Sequence, residues 1–170
     1  MQTTITSTLV GTLEFDAASG FAGQVVVSGA GGDSCWLYIA EEVSAEPRLL
    51  ATVAPTVDAF HELVDQARSA LRGELAKVDS SAVEFVRFHV EELGDLEGDF
   101  PAAAHAFLSG TGSPAALADF FRATGLAFHQ AADGDLSFWL DFGLVPEHSD
   151  EVLCVRFDAD RGVSSIGWES

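Results

Sequence analysis

The stretch His148-x-Asp150-Glu151 brings together residue types that could bind a metal ion. Imidazole nitrogens and carboxylate oxygens are ordinary zinc ligands, but a complete site would need a distant residue such as His129 or Asp141. The helical His-Glu-x-x-His spacing of zinc enzymes is absent. Because Asp residues also favour turns, we interpret the stretch as a turn. His148, Asp150 and Glu151 are then only weak candidates for metal ligands, and we predict no cofactor.

Serine and cysteine residues that could act as nucleophiles lack the expected surroundings. No serine lies in a Gly-x-Ser-x-Gly elbow, and Cys35 and Cys154 have apolar or aromatic neighbours that would not activate a thiol. Both cysteines lie in apolar, strand-like runs, so we predict buried, reduced thiols. The five histidines are dispersed along the chain. We therefore predict no catalytic residue and favour a non-enzymatic protein.

Two loops match ligand-binding motifs only in part. Ser109-Gly110-Thr111-Gly112-Ser113 could present backbone N–H groups to an anion, but it lacks the lysine of a phosphate-binding loop. Asp158-x-Asp160-x-Gly162 has the spacing of the first calcium-loop ligands, but its glycine comes one place early. We interpret both segments as structural turns.

The 170 residues include 27 Asp and Glu against 8 Lys and Arg, which gives a formal net charge of −19. Nucleic acids and anionic membranes are therefore excluded as partners, because their phosphates require clustered basic side chains. Hydrophobic residues make up 48% of the chain, so we expect the charges to surround a folded core. No stretch is apolar enough to span a membrane and the N-terminus lacks signal-peptide features, so we expect a cytoplasmic protein.

One stretch concentrates the negative charge and contains no basic residue. Its acids are Glu91, Glu92, Asp95, Glu97 and Asp99. A coherent acidic patch accelerates association with a basic protein, so we predict that these residues bind such a partner. The alternative is an exposed, solvated loop at a helix end.

The N-terminal region has the pattern of three strands at 8–15, 23–27 and 35–39, joined by glycine-rich turns. Such close connections predict an antiparallel meander.

The middle of the chain has helical periodicity. Apolar residues recur at spacings of three and four over 56–78, which predicts one long amphipathic helix. Ser81 and Glu84 match a capping box and predict a second helix over 81–94. That stretch also has the valine and phenylalanine content of a strand, but the cap and the terminal glycine favour a helix.

Shorter helices are predicted for 102–109 and, with Ser113 as N-cap, for 114–124. The C-terminal third returns to strands, with a hairpin turn at Asp133-Gly134. The predicted strands are 126–130, 136–142, 152–157 and 163–168. Strands, helices and strands in this order predict an α+β fold with a largely antiparallel sheet and helices on one side. The chain is predicted to be a single domain, or two lobes covering 1–100 and 101–170.

Several C-terminal runs resemble an uncharacterised bacterial family, catalogued as domain of unknown function 2004. They are Trp139-Leu140-Asp141-Phe142, Pro146-Glu147-His148-Ser149-Asp150, Val155-Arg156-Phe157-Asp158 and the final Trp168-Glu169-Ser170. The resemblance covers about the last fifth of the chain well. It implies a cytoplasmic α+β domain and no particular activity.

We therefore predict an acidic cytoplasmic domain that acts through protein contacts, similar to an immunity protein or antitoxin. The alternative is a small-molecule-binding or weakly enzymatic domain with an aromatic pocket lined by Trp36, Phe138 and Trp139. Acidity as an adaptation to high salt and a homodimer formed through exposed strand edges also remain open.

Replacing all five acids of the 91–99 stretch by their amides should leave the unfolding temperature nearly unchanged, because solvated charges contribute little to stability. Thermal unfolding followed by circular dichroism measures this. A large change in the unfolding temperature would show that the stretch has a structural role.

Overall fold

The computed structural model describes residues 2–26, 34–93, 98–145 and 148–169. The N-terminal strands are β1 (Gln2–Ser7), β2 (Gly11–Asp16), β3 (Phe21–Val26) and β4 (Ser34–Ile39). The helices are α1 (Glu41–Ala45), α2 (Pro47–Asp58), α3 (Phe60–Leu75), α4 (Ser81–Glu92), α5 (Asp99–Leu108) and α6 (Pro114–Ala118). The C-terminal strands are β5 (Arg122–Gln130), β6 (Leu136–Gly143), β7 (Val152–Phe157) and β8 (Val163–Glu169). Among these residues, no helix is long and apolar enough to cross a membrane.

The described strands form a six-stranded sheet, in the order β3-β4-β5-β6-β7-β8, and a separate hairpin of β1 and β2. Every neighbouring pair in the large sheet is antiparallel except β4 and β5, which are parallel. The helices α1–α6 connect these two strands, as a parallel pair requires a long crossover. The predicted α+β fold with a mostly antiparallel sheet is confirmed.

One face of the large sheet is apolar and packs against the helices. The strict alternation of β6 illustrates it, because Phe138, Leu140 and Phe142 are all buried on this face. The ring of Phe138 lies 5.1 Å from that of Phe157 and 5.7 Å from that of Phe128, measured between ring centroids. Buried side chains of the helices and of the sheet belong to the same hydrophobic cluster.

The predicted helix over 56–78 is in fact two helices, because the chain breaks at Ala59 between α2 and α3. The sequence pattern gave no sign of α2 because it contains two prolines. Pro47 occupies the first turn, where a proline is tolerated, whereas Pro55 lies inside the helix. At the break, the Asp58 carboxylate accepts hydrogen bonds from the Ser7 hydroxyl at 2.6 Å and from the Leu9 N–H at 3.0 Å.

These two bonds fix the N-terminal hairpin, which the sequence pattern described wrongly. The strand predicted at 8–15 is a turn at 8–10 followed by β2, and β2 pairs with β1 instead of joining a three-stranded meander. Ile5 is the only buried apolar residue of β1. One such residue gives no alternating hydrophobic pattern, so the sequence did not predict this strand.

Two helix N-caps were predicted, and the structure confirms the one at Ser113 but not the one at Ser81. Ser113 caps α6 by accepting the N–H of Ala116, as predicted. The helix α4 is also confirmed, but its N-cap is Ser80, which accepts the N–H of Val83, instead of Ser81. The helix predicted over 114–124 ends at Ala118 because β5 begins at Arg122.

Candidate functional site

The second face of the large sheet carries the polar and aromatic side chains of its strands, and we call it the open face. Its described members are Trp36, Tyr38, Gly125, Ala127, His129, Ser137, Trp139, Asp141, Val152, Cys154, Arg156, Ser165, Gly167 and Glu169. Within the described chain, the helices pack against the opposite face. Trp36 is 52% exposed and Tyr38 is 39% exposed, so large apolar surface meets solvent here.

A stack of planar groups crosses four strands of the open face. His129 lies against Trp139, with ring centroids 4.3 Å apart and an interplanar angle of 11°. Tyr38 lies 5.4 Å from the other side of His129, and the Arg156 guanidinium lies 4.8 Å from the Trp139 ring centroid. Arg156 also forms an ion pair with Glu169 on β8. The stack therefore links β4, β5, β6 and β7 and ends at an acid on β8.

The row of residues beside this stack begins at Trp36, continues with small residues and has an acid, Asp141, at its centre. Trp36, Gly125, Asp141, Cys154 and Gly167 are successive neighbours across the strands. The Cys154 thiol donates a hydrogen bond to Asp141 Oδ1 at 2.9 Å. The other carboxylate oxygen lies over Gly125, where an added Cβ would be only 2.7 Å from it. A side chain at 125 would therefore have to displace the Asp141 carboxylate.

Burial raises the pKa of the Asp141 carboxyl, and the charge of Glu169 acts in the same direction. Hydrogen bonds from Cys154 and Trp139 and the charge of Arg156 oppose that rise. The pKa of the Cys154 thiol is also raised, mainly by burial and then by Asp141, so this thiol stays protonated and is a poor nucleophile. The open face thus places the Asp141 carboxyl, a hydrogen-bond acceptor with a raised pKa, beside exposed aromatic rings. A cationic or hydrogen-bond-donating group could contact both.

His129 connects the stack to helix α1. Its Nδ1 lies 3.6 Å from Glu42 Oε1 at the rim of the open face. Burial lowers the pKa of His129, Glu42 opposes that change, and Arg156 adds to it. The neutral ring is therefore favoured, and it stacks on Trp139 as a flat, uncharged group.

A second polar cluster lies inside the protein, around His89 of α4. Its Nδ1 lies 2.9 Å from the Phe85 carbonyl oxygen, which can only accept, so Nδ1 donates. Nε2 then accepts a hydrogen bond from the Ser149 hydroxyl at 3.1 Å. Ser149 Oγ in turn accepts the Glu151 N–H, and Glu151 accepts the Trp168 indole N–H at 2.6 Å. His89 is only 1% exposed, so the cluster fastens the segment before β7 to α4.

The sequence-based metal candidates differ in their surroundings. His148 and Asp150 are exposed, whereas Glu151 is partly buried and bonded to Trp168. His129 and Asp141, the distant residues considered for completing a site, both lie on the open face. No group of three or more metal-ligating side chains occurs among the described residues.

Three acids of the 91–99 stretch are described, and Glu91, Glu92 and Asp99 are all exposed. Asp95 and Glu97 lie outside the described residues. Glu91 and Glu92 end α4 and Asp99 begins α5, so these three acids lie on helices and not on the open face.

The three rings predicted to line one pocket lie on two faces of the sheet. Trp36 and Trp139 belong to the open face, whereas Phe138 is buried in the core at 1% exposure. Consecutive residues of a strand point in opposite directions, so Phe138 and Trp139 cannot share a pocket. The prediction of a common aromatic pocket is therefore wrong.

The remaining motif predictions concern turns and cysteines, and they are confirmed. The 109–113 segment joins α5 to α6, and the Asp158 carboxylate accepts the N–H groups of Asp160 and Gly162 within its own turn. Cys35 and Cys154 are buried, and neither belongs to a disulfide.

Sequence reasoning missed Tyr38 and Arg156 as members of the site. Both occupy the polar positions of alternating strands, which was the available signal, but only the pairing of strands shows that they meet.

Gly125→Ala should lower the free energy of unfolding by about 1–3 kcal/mol, because its Cβ would push into the Asp141 carboxylate. Gly167→Ala is the matched control, since it lies in the same row and its added Cβ would have no neighbour within 4 Å. Urea unfolding of both variants measures the difference. Equal destabilisation by the two substitutions would contradict the close approach of Asp141 to Gly125.

The stability contribution of His89 should depend on pH. Burial lowers its folded-state pKa below the ordinary 6.5, although the bond to Phe85 and the charge of Glu151 act against this. The unfolded chain therefore takes up the proton first, and the contribution is complete above pH 6.5 and is lost as pH falls through the folded-state pKa.

The free energy of unfolding of wild type exceeds that of His89→Gln by an amount that should therefore shrink below pH 6.5. The decrease should be at most about 1.4 kcal/mol per pH unit. Urea unfolding between pH 7.5 and about 5 measures it. His61→Gln removes an exposed histidine and serves as the control for the loss of a histidine outside the core. A His89 difference that grew on acidification would contradict the buried neutral ring.

No family model, no curated protein and no solved structure matches this chain. The resemblance to the uncharacterised bacterial family stays a prediction, and the chemistry of the open face rests on its own geometry.

Proposed function

We propose that this chain is a non-enzymatic domain that acts through protein contacts, and that its open face binds a basic protein. The observation that carries the proposal is the exposure of Trp36 and Tyr38 on a sheet face whose other groups are polar and acidic. Exposed aromatic side chains are typical anchors of protein interfaces.

The charge of the open face supports a basic partner. Glu42 and Glu169 are exposed at its rim, and Asp141 lies in its central row. A lysine or arginine placed over Trp36 or Tyr38 would gain a cation–π contact with an acid close by. The protein already forms this arrangement internally, where Arg156 lies over Trp139 and pairs with Glu169.

A second copy of the chain is a poorer occupant of the open face than a basic protein. Each copy carries a net charge of −19, so two copies repel each other and a basic partner does not. A homodimer through the sheet edges or the open face would therefore be favoured only when salt screens this repulsion.

The 91–99 acids have a different role in this proposal. The described ones, Glu91, Glu92 and Asp99, lie on helices and not on the open face. The five acids steer the partner by long-range attraction, which raises the association rate without adding contacts. An acidic cytoplasmic domain with a basic partner corresponds to an immunity- or antitoxin-like role.

The proposal is tested by capture from lysate of the source organism at low salt, with a surface variant and a matched control. The double variant Trp36→Ser and Tyr38→Ser removes the exposed rings of the open face. Val78→Ser removes an apolar side chain after α3 that is even more exposed, at 82%. Circular dichroism establishes that both variants are folded.

We expect wild type and Val78→Ser to retain the same basic protein, released by salt, and the double variant to lose it. With that protein purified, amide replacement of the 91–99 acids should slow association and leave dissociation unchanged. Equal capture by the double variant, or self-association as the only binding at low salt, would refute the proposal.

A further inference from the structure

A cavity of about 270 Å³ lies on the helix side of the sheet, between α2 and the turns that follow β5 and β7. Its apolar lining includes Leu49, Leu136 and Phe138. Arg48 lines it from α2, and Arg161 lines it from the turn between β7 and β8. Because Phe138 faces away from the open face, this cavity is separate from the proposed protein-binding surface.

The two arginines are a notable concentration of positive charge in this chain, which has only 8 Lys and Arg. Arg48 is held in place, since it donates to Asp135 Oδ1 at 3.3 Å and to the Gly134 carbonyl oxygen at 2.9 Å. Arg161 is partly buried, and its guanidinium has no hydrogen-bond or ion-pair partner in the described part of the chain. A partly buried guanidinium without an acid is available to bind an anion.

The backbone holds Arg161 in an unusual conformation. Among the described residues other than glycine, it is the one with a positive φ, of 63°. Glycine or asparagine adopts this conformation more easily. The turn is formed by the backbone and by Asp158, which accepts the N–H groups of Asp160 and Gly162, so the arginine side chain is not needed for the turn.

We propose that this cavity binds a small organic carboxylate. Arg161 and Arg48 hold the acid group through paired N–H donors, which match a carboxylate in geometry. Leu49 and Phe138 contact the apolar body of the ligand, whose size is limited by the cavity to one aromatic ring or a short alkyl chain.

The surrounding acids favour a carboxylate over a phosphate ester. Asp135 lines the cavity, and Asp158 and Asp160 belong to the same turn as Arg161. A singly charged carboxylate is repelled less by these groups than a doubly charged phosphate would be. The apolar lining likewise disfavours a fully hydrated inorganic ion.

Titration of the ¹⁵N-labelled full chain with phenylacetate, followed by amide chemical shifts, tests the proposal. We expect saturable shifts in the turn at 158–162 and in α2. Phenylacetamide has the same shape without the charge, so its Kd should be at least about tenfold higher. Inorganic phosphate should bind more weakly than phenylacetate.

Arg161→Asn keeps a residue that tolerates the positive φ and removes the guanidinium, so the Kd for phenylacetate should rise about tenfold. Arg87→Gln is the control, because Arg87 is exposed on α4 and pairs with Glu84. The Kd of this variant for phenylacetate should match that of wild type. The proposal is overturned if phenylacetate causes no saturable shift, if phenylacetamide or phosphate binds as tightly, or if Arg161→Asn leaves the Kd unchanged.

Discussion

Side chains in a β-strand alternate between two faces, and helices cover one face of this sheet in the described part of the chain. The covered face is uniformly apolar from β4 to β7, as Leu37, Leu126, Leu140 and Val155 show by facing one another across the strands. Such a face fixes the register, because a shift by one residue would bury the polar set. The composition of the open face follows from this constraint.

Polar groups on the open face are satisfied mainly by one another. Trp139 is enclosed between His129 and Arg156, and Asp141 accepts the thiol proton of Cys154. These contacts cross strand boundaries and tie neighbouring strands together through their side chains. Trp36 and Tyr38, by contrast, are largely exposed on β4. The open face therefore combines side chains that are already held in position with exposed rings that a partner could contact.

The two proposed sites divide the charges of the chain between them. The open face places acids around exposed rings and attracts cations, whereas the cavity beside α2 brings together Arg48 and Arg161. In a chain of net charge −19, Arg161 is the partly buried cation of this cavity, whereas Arg48 is exposed and paired with Asp135. The alternative function, binding of a small molecule, is therefore better supported by the cavity beside α2 than by Trp36 and Trp139 on the open face.

Local patterns predicted the parts of the fold that local chemistry determines. The alternation of β6, the Asp133-Gly134 turn and the Ser113 cap each depend on neighbouring residues, and each is confirmed. The parallel pairing of β4 with β5 was not predictable, because α1–α6 separate these strands in the sequence. The same limit applies to sites, since the His89 and Ser149 pair spans 60 residues and the cross-strand neighbours of Asp141, Gly125 and Cys154, come from two other strands.

The most direct measurement of the central claim is chemical-shift mapping of the ¹⁵N-labelled chain with its captured basic partner. The account predicts that the perturbed amides cluster at Trp36, Tyr38 and Trp139, while those of α3 on the covered side remain unchanged. Perturbations confined to the helices, with the open face unaffected, would contradict it.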